Sequence, residues 1–268
     1  MPSLTQHQSS EFTKLLLIGD SKSGKTGSLA SLALKGYKLR ILDYDNGLDP
    51  LAQVLRRTDP KALENVEFRT LRDKRIATPL GPMVASATAF VEGLKMLDRW
   101  KYTDNGAAVD LGVPAEWGPD TVVVIDSLTF MSDAAWAFRE PLVPKSKDGK
   151  YDVRAVYKDS QDAIEGVLAL LTSETFRTNV IVLSHVRYVD NPDGTKKGYP
   201  TAIGSALSPT IPRYFNSVAL AQTGPGGKRQ IQTTATAMID LANPASFKML
   251  PTLPIETGLA TFFETVRS

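Results

Sequence analysis

The stretch that most constrains the fold is LLLIGDSKSGKT, residues 15–26, in which four apolar residues lead directly into a polar, glycine-rich loop. The apolar part predicts a buried β-strand over residues 15–19, and a helix is predicted over residues 24–35. The loop between them fits the spacing G-x-x-x-x-G-K-[ST]. Glycines let the backbone curl so that successive N–H groups point at the oxygens of a phosphate. We therefore predict a phosphate-binding loop at one edge of a sheet, formed by Gly19, Asp20, Ser21, Lys22, Ser23, Gly24, Lys25, Thr26 and Gly27.

Two side chains at the end of this loop have distinct chemistry. Lys25 is expected to reach the β- and γ-phosphates of a nucleotide, and the Thr26 hydroxyl is expected to ligate Mg²⁺. Farther along the chain, the β-branched run TVVVI at residues 121–125 ends in Asp126. A buried strand that ends in a carboxylate is typical of the group that holds the same ion through water. The sequence thus predicts a magnesium site made by Thr26 and Asp126.

Further carboxylates follow the second predicted strand, in ILDYDNGLDP at residues 41–50. Hydrolysis of a nucleotide needs a group that orients the attacking water. The C-terminal end of this strand is expected at the same sheet edge as the phosphate loop. Two interpretations stay open. Either Asp43 or Asp45 has this catalytic role, or both aspartates, which precede Pro50, only form a turn or cap a helix.

Strands and helices alternate along most of the chain. Further strands are predicted over residues 37–44, 65–71, 121–125, 180–184, 216–222 and 229–234, further helices over 82–100, 152–172 and 258–266, and a loop over 103–120. This order predicts an α/β fold with a mostly parallel central sheet flanked by helices. Strands after residue 216 are expected to add an antiparallel edge. We divide the chain into a flexible lead-in (1–14), a core (15–240) and a C-terminal tail with a short helix (241–268).

Composition excludes several classes of protein. The chain has no cysteine, so disulfides and thiolate metal sites are excluded and a reducing cytoplasm fits. No apolar run approaches the roughly 20 residues of a membrane span, so no membrane partner is expected. The formal net charge is +2. Because this charge is nearly balanced, any surface that binds nucleic acid must be local.

Several segments together resemble the RecA superfamily of ATPases, in the same order, over residues 15–234. GDSKSGKT resembles its Walker A loop, VVVIDSL its Walker B strand, and VIVLSHV the strand whose terminal polar residue senses the γ-phosphate, here His185. ILDYDNGLDP is similar to the segment that contains the catalytic glutamate, and Asp45, one methylene shorter, stands at that position. The resemblance implies a RecA-like P-loop core, ATP and Mg²⁺ as cofactors, and catalytic roles for Lys25, Asp45 and His185.

Looser features resemble the compact RecA-like proteins of phages, of the single-strand annealing type. These features are ID-S-L, an R-x-x-Y at residues 154–157, and the strand YFNSVAL at 214–220. The resemblance implies single-stranded DNA as a partner, self-assembly into a ring or filament, and a single-strand binding protein as a further candidate partner, in the host cytoplasm if the protein is phage-encoded. RecA lysines reach the ATP of a neighbouring subunit, and the trans-acting candidates here are Arg213, Lys228 and Arg229.

Two regions correspond to the DNA-facing loops of the RecA family. Residues 139–158 interleave cations with tyrosines, which suits phosphate neutralisation and base stacking, but their acidic residues equally fit a solvated surface loop. Residues 187–213 are predicted to form a long, mobile loop that contacts DNA, and the alternatives are a contact with another subunit or simple disorder. The candidate DNA-binding residues are Lys145, Lys147, Lys150, Arg154, Lys196, Lys197 and Tyr199.

Three functions fit these patterns. The first is a Mg²⁺-dependent ATPase that binds single-stranded DNA and promotes annealing or strand exchange in phage-type recombination. The second is a hexameric helicase or a packaging-type motor. The third is a nucleotide-gated DNA-binding scaffold with vestigial hydrolysis, which the aspartate at position 45 makes credible.

Overall fold

A computed structural model describes residues 11–144, 152–191 and 194–268. The strands are β1 (Lys14–Gly19), β2 (Lys38–Asp43), β3 (Val66–Thr70), β4 (Lys74–Thr78), β5 (Gly81–Ser86), β6 (Lys101–Asp104), β7 (Ala107–Asp110), β8 (Gly118–Asp126), β9 (Thr178–Asp190), β10 (Lys196–Pro200), β11 (Ser217–Thr223), β12 (Arg229–Gln232) and β13 (Thr252–Pro254). The α-helices are α1 (Lys25–Ser28), α2 (Ala30–Leu34), α3 (Asp49–Thr58), α4 (Ala89–Asp98), α5 (Leu128–Arg139), α6 (Val153–Thr172), α7 (Gly204–Leu207) and α8 (Gly258–Arg267).

The central sheet has the strand order β13-β12-β11-β1-β9-β8-β2-β3. The six strands from β11 to β3 are parallel, whereas β12 and β13 are antiparallel to their neighbours. The predicted fold, a mostly parallel α/β sheet with an antiparallel edge, is therefore confirmed. In a parallel sheet the C-terminal ends of all the strands meet at one edge, and the loops that follow them can converge there.

Two apolar layers cover the sheet, and β1 shows how the sequence builds both. All six of its residues are buried. Because side chains alternate along a strand, Leu16 and Ile18 pack into the layer with α4, α5 and α6, whereas Leu15 and Leu17 pack into the layer with α2, α3 and α8. The run of four apolar residues is thus explained by burial on both faces.

Two predicted elements differ from the structure between residues 82 and 120. The helix predicted over 82–100 begins only at Ala89, because Gly81–Ser86 instead pairs with Lys74–Thr78 in an antiparallel hairpin. The loop predicted over 103–120 contains a second hairpin, β6–β7. Its turn is Asn105-Gly106, and both residues have positive φ angles, 46° and 84°, as a tight two-residue hairpin turn requires.

The loop predicted over residues 187–213 is also largely wrong. β9 continues past the sheet to Asp190 and pairs with β10, so that Arg187 lies opposite Tyr199. A short helix, α7, and a 3₁₀ turn at Ile211–Tyr214 follow. Of the glycines and prolines that suggested a loop, Gly194 and Pro209 lie between the elements, whereas Gly198 and Pro200 lie within β10. The strand that leads away from the sheet edge is therefore one arm of an antiparallel hairpin with β10.

The described residues nearest to both ends of the chain pack on the core. Phe12, two residues before β1, and Lys14, the first residue of β1, are both buried, within the range that was expected to be a flexible lead-in. In the predicted tail, β13 joins the sheet, Phe262 and Phe263 are fully buried, and the backbone N–H of Ala260 donates to Ser31 Oγ (3.2 Å). Among the described residues, no helix is long and apolar enough to cross a membrane.

Candidate functional site

Four parallel strands place Gly19, Asp43, Asp126 and His185 at one edge of the sheet. The register places Asp43 of β2 opposite Asp126 of β8, and Gly19 of β1 opposite His185 of β9. β8 and β9 are themselves neighbours, with Asp126 opposite Leu183. The four predicted segments, far apart in sequence, therefore converge because parallel strands end together.

The phosphate loop is a tight curl around the Lys25 side chain. Lys25 Nζ donates to the carbonyl oxygens of Gly19 (2.9 Å) and Asp20 (2.8 Å). Gly24 has a φ angle of 99°, which favours glycine, and a Cβ on Gly19 would overlap the carbonyl oxygen of Ala221. Burial lowers the pKa of Lys25 to about 8, although nearby carboxylates oppose this shift. Among the described residues, the Lys25 ammonium thus donates its hydrogen bonds to backbone oxygens of the loop.

Thr26 and Asp126 are joined by a hydrogen bond. Thr26 Oγ1 donates to Asp126 Oδ2 at 2.8 Å, across 100 positions of sequence. Asp126 is buried, and this burial, followed in importance by the charge of Asp45, raises its pKa to about 7. A buried carboxylate that is destabilised by a second carboxylate is stabilised by a cation. The structure therefore brings together the two predicted magnesium ligands.

Magnesium fits this donor set. The ion takes oxygen ligands and usually keeps several waters, binding through one or two carboxylates together with substrate phosphates. A hydroxyl and a carboxylate satisfy that requirement, and buried Asp45 Oδ1 and Ser127 Oγ have no hydrogen-bond partner in the described part of the chain. The same part contains no group of three His, Cys, Asp or Glu side chains that could hold a metal alone. A metal here would depend on phosphate or water to complete its shell.

The structure distinguishes Asp43, the last residue of β2, from Asp45, which follows the strand. Asp43 is buried and uses both oxygens, accepting from Thr70 Oγ1 (3.0 Å) and from the N–H of Gly47 (3.3 Å). Asp45 is half-buried, and its Oδ1 atom is one of the unpartnered buried atoms. Burial raises the pKa of Asp45, and the Asp43 carboxylate adds to the rise. Asp43 is therefore occupied in holding the turn, and Asp45 has an oxygen available for a ligand or a water.

His185 lies where β9 leaves the sheet. Its backbone N–H donates to Thr129 Oγ1 (3.2 Å), and its ring packs edge-on against Phe130 (5.9 Å between ring centroids). Burial lowers the pKa of His185, and the charge of Lys25 lowers it further. A neutral imidazole close to Lys25 can donate one hydrogen bond to an anion held by that lysine.

Sequence reasoning missed two residues of this region. Thr129 accepts from His185 and donates to the carbonyl of Thr201 (3.1 Å), so it ties β9 to the start of α5. The Arg72 side chain donates to the carbonyl of Tyr44 (3.3 Å), and its charge acts on Asp45. Thr129 could have been suspected from its place directly after the IDSL motif. Arg72 follows a short, half-exposed strand, and no sequence motif includes it, so its place near the site could not be predicted.

The predicted DNA-binding residues are only partly described. Arg154 is exposed at the start of α6. Lys196 pairs with Asp190 (3.7 Å), Lys197 pairs with Asp240 (2.6 Å), and Tyr199 is half-buried. The other three candidates, Lys145, Lys147 and Lys150, lie outside the described residues. The structure therefore places the later candidates on the β9–β10 hairpin.

The trans-acting candidates contact groups of their own chain. Arg213 Nη2 binds Glu165 Oε1 at 2.6 Å. The Arg229 side chain lies against Gly24 of the phosphate loop: its Cδ atom would stand 3.1 Å from a Cβ placed on that glycine. Lys228 precedes it, and its carbonyl accepts from the N–H of Gly224 (2.8 Å).

The fold and the site together define a P-loop ATPase, with an α/β sheet that presents Walker A and Walker B groups at one edge. Residues 11–241 match the family model described as an AAA domain, and the chain belongs to that family.

Comparison with solved structures finds similar chains at low identity. The crystal structure of the RadB recombinase is 17% identical, with a TM-score of 0.42, over 82% of this chain and 79% of that one. A prototypical ATPase from the type III secretion system of pathogenic bacteria is 12% identical, with a TM-score of 0.43, over 79% of this chain and 52% of that one. No curated protein sequence matches the chain.

Proposed function

We propose that this protein is a Mg²⁺-dependent ATPase that binds single-stranded DNA and promotes annealing or strand exchange as a ring or filament. The hydrogen bond between Thr26 and Asp126 is the observation that most supports the proposal. It brings together the Thr26 hydroxyl and the Asp126 carboxylate, the two groups that the proposal assigns to Mg²⁺. When bound, Mg²⁺ would neutralise charge on the β- and γ-phosphates.

The residues around this pair have separable roles in the proposal. Lys25 binds phosphate oxygens in place of the backbone carbonyls that it now contacts. Asp45 orients the attacking water with its unpartnered oxygen and accepts its proton, which a raised pKa favours. His185 senses the γ-phosphate from the base of the β9–β10 hairpin.

The proposed DNA contact uses the hairpin that begins at His185. Its Tyr188 side chain is 43% exposed, and partial burial, followed in importance by the charge of Asp20, raises the pKa of this tyrosine. Lys196 and Lys197 are held in ion pairs, and exposed pairs of this kind contribute only about 0–1 kcal/mol. DNA phosphates can therefore compete for both lysines. A single-strand binding protein is a further proposed partner.

The test is the rate of ATP hydrolysis as a function of single-stranded DNA concentration, with particle mass measured in the same buffer. DNA should raise the rate, and Lys25→Ala or Asp126→Ala should remove it. Asp45→Ala should retain ATP binding and lose about 10²–10⁴-fold in turnover. Asp49→Ala, an exposed carboxylate four positions away, is the matched control and should change turnover little. Normal hydrolysis by Asp45→Ala would show that Asp45 does not have the proposed role.

One observation favours a scaffold as the second candidate function. Asp45 is one methylene shorter than the glutamate of the RecA resemblance, so its oxygen stops short of the position that the longer side chain reaches. Bound ATP without turnover, with or without DNA, would support the scaffold. Unwinding of a forked duplex would instead support a helicase-type motor.

A further inference from the structure

A cavity of about 780 Å³ lies between the β4–β5 hairpin and the helices α5 and α6. One wall is a face of α5, where Asp133 and Trp136 line the cavity and Glu140 lines it directly after the helix. These positions are three, four and seven residues apart, a spacing that places them on one face of a helix. None of the described residues that line the cavity belongs to the phosphate loop or to the magnesium pair. The cavity is therefore separate from the nucleotide site.

The opposite wall is the hairpin that the sequence did not predict. Arg75 of β4 stands directly opposite Val84 of β5, and both residues line the cavity. Side chains directly opposite each other in an antiparallel pair project from the same face. In the described part of the chain this hairpin forms a sheet of its own and does not join the central sheet. The hairpin therefore presents a face with one cation and one apolar residue to α5 across an open cleft.

Two aromatic side chains form a platform in this cleft. The ring centroids of Trp136 and Tyr157 are 4.5 Å apart, with the planes tilted by 53°, and both side chains line the cavity. Tyr157, in α6, is 40% exposed. The adjacent wall at Ile203 is held in place, because Gln161 Nε2 donates to the carbonyl of Ile203 at 3.1 Å. Exposed aromatic faces of this kind are the groups on which unpaired bases of a single strand stack.

A hydrogen-bond donor and an acceptor face the same cleft. Arg75 and Asp133 both line it, and within the described residues neither side chain makes a hydrogen bond or an ion pair. Partial burial raises the pKa of Asp133, and the charge of Arg75 opposes this rise. A guanidinium only donates and a carboxylate accepts, so together they can bind a base edge that carries both an acceptor and an amino group. Cytosine, adenine and guanine have such edges, whereas thymine has no amino group.

The distribution of charge decides which kind of ligand fits. Three exposed cations, Arg154, Lys158 and Lys74, lie within three residues of side chains that line the cleft. The carboxylates of Asp133 and Glu140 line the cleft itself. A single strand of DNA fits this distribution, because its phosphates can bind the outer cations while a neutral base enters beside the carboxylates. A basic peptide fits less well, since the outer cations repel it.

We infer that this cleft binds an unpaired base of single-stranded DNA, stacked on Trp136 and Tyr157, with Arg75 and Asp133 at its edge. The inference rests on the proposed function, because it needs single-stranded DNA as a partner. It adds a site away from the β9–β10 hairpin, to which that function assigns the DNA contact. Ile203 follows the end of β10 by three residues, which limits their separation to about 11 Å. The two surfaces are therefore close enough for one strand to contact both.

The first experiment separates base contact from phosphate contact by fluorescence anisotropy at one salt concentration. The probes are a labelled oligodeoxycytidine of about 20 nucleotides, long enough to cover a single-strand site, and an abasic strand of the same length. Trp136→Leu keeps an apolar side chain at this half-buried position. It should weaken binding of the oligodeoxycytidine about tenfold and leave binding of the abasic strand unchanged.

The control for this variant is Phe247→Leu, which removes a ring that is 81% exposed and outside the cavity, and it should change neither affinity. An equal effect of Trp136→Leu on both strands, or no effect on either, would overturn the inference. Failure of the wild type to bind either strand would instead overturn the proposed function.

The second experiment repeats the test on the surface of α6, where a substitution leaves the core intact. Tyr157→Ala should weaken binding of the oligodeoxycytidine about fivefold or more, whereas Tyr157→Phe, which keeps the ring, should retain the wild-type affinity. Unchanged affinity in Tyr157→Ala, or an equal loss in Tyr157→Phe, would show that no base stacks on this ring.

The third experiment tests the contact with the base edge. The wild type should bind oligodeoxycytidine at least about fivefold more tightly than oligothymidine of the same length, because only cytosine offers an amino group to Asp133. Asp133→Ala should remove this preference. Asp162→Ala, which removes an exposed carboxylate of α6 outside the cavity, should keep it. Equal affinity of the wild type for the two strands, or an unchanged preference in Asp133→Ala, would overturn the assignment of Asp133 to the base edge.

Discussion

Lys14 begins β1 at the end away from the phosphate loop, and its side chain is only 7% exposed. Its Nζ atom donates to the carbonyl oxygens of Phe176 (2.6 Å) and Thr178 (2.7 Å). Burial lowers the pKa of Lys14 from its ordinary 10.5 to about 7. A neutral amine can still donate both hydrogen bonds, so the folded state tolerates loss of the proton.

This shift predicts how stability depends on pH. Between about pH 7 and about pH 10 the unfolded chain keeps the Lys14 proton that the folded chain has lost. The unfolded state then binds more protons, so stability rises with pH across this window, with a slope that approaches about 1.4 kcal/mol per pH unit. Below the folded pKa of about 7 this contribution to the slope disappears.

The measurement is urea unfolding at several pH values in this window. Lys14→Met, which keeps an unbranched side chain of similar size, should lose the added slope. The matched control is Lys38→Met at an exposed position of β2, which should keep it. Identical pH profiles for the wild type and Lys14→Met would contradict the prediction.

Single residues of the site were predictable where a motif fixes them. Lys25, Thr26 and Asp126 could be named from spacing alone, because the loop, the strand end and the metal chemistry all demand those residue types. Spacing and chemistry left the choice between Asp43 and Asp45 open, and only the family resemblance favoured Asp45, since the difference depends on Thr70 and Gly47, which satisfy the oxygens of Asp43. The contact of Arg229 with Gly24 could not be predicted from the sequence either, because it depends on how β12 packs beside the phosphate loop.

At the scale of elements, helix α4 packs against the segment that precedes Asp45, and the contact is made at a glycine of the helix. Gly93 faces Tyr44, and a Cβ on Gly93 would overlap the tyrosine hydroxyl. Tyr44 directly precedes Asp45, and its backbone N–H donates to the carbonyl of Asp126 (2.6 Å). The absence of a side chain at position 93 therefore lets α4 pack closely on the segment that carries Asp45.

Gly93→Ala should lower the free energy of unfolding by about 1–3 kcal/mol, because overpacking against Tyr44 outweighs the better helix propensity of alanine. Gly166→Ala in α6 is the matched control: an added Cβ there meets nothing within 4 Å. It should raise the free energy of unfolding by about 0.5–1 kcal/mol. Denaturant unfolding of both variants measures the difference, and a stabilised Gly93→Ala would contradict the contact.

The predictions of secondary structure were wrong where a short run of apolar residues fits both a helical and a strand period. Val84 and Ala87 match a helical repeat with the residues of α4, yet Gly81 and Pro82 begin a strand that pairs with β4. Likewise β10 is short and half-exposed, so only its pairing with the extension of β9 defines it. The long apolar strands β1, β8 and β9 were predictable because burial on both faces leaves a continuous apolar run.

At the scale of the whole molecule, the last helix completes one of the two apolar layers of the sheet. Phe263 is fully buried in α8 and packs edge-on against Tyr37, with 5.7 Å between ring centroids. Lys35, at the end of α2, pairs with Glu264 at 2.9 Å, but this exposed pair adds little. The apolar contact therefore decides how firmly residues 258–267 are bound to the core.

Phe263→Ala should cost about 3–5 kcal/mol of unfolding free energy, the usual cost of truncating a fully buried phenylalanine. Phe247→Ala is the matched control in the same part of the chain, since Phe247 is 81% exposed, and it should change stability by no more than about 0.5 kcal/mol. Denaturant unfolding should show one cooperative transition in both variants, shifted only in Phe263→Ala. If residues 241–268 were instead a separable tail, Phe263→Ala would leave that transition unmoved, because the sheet would be covered without α8.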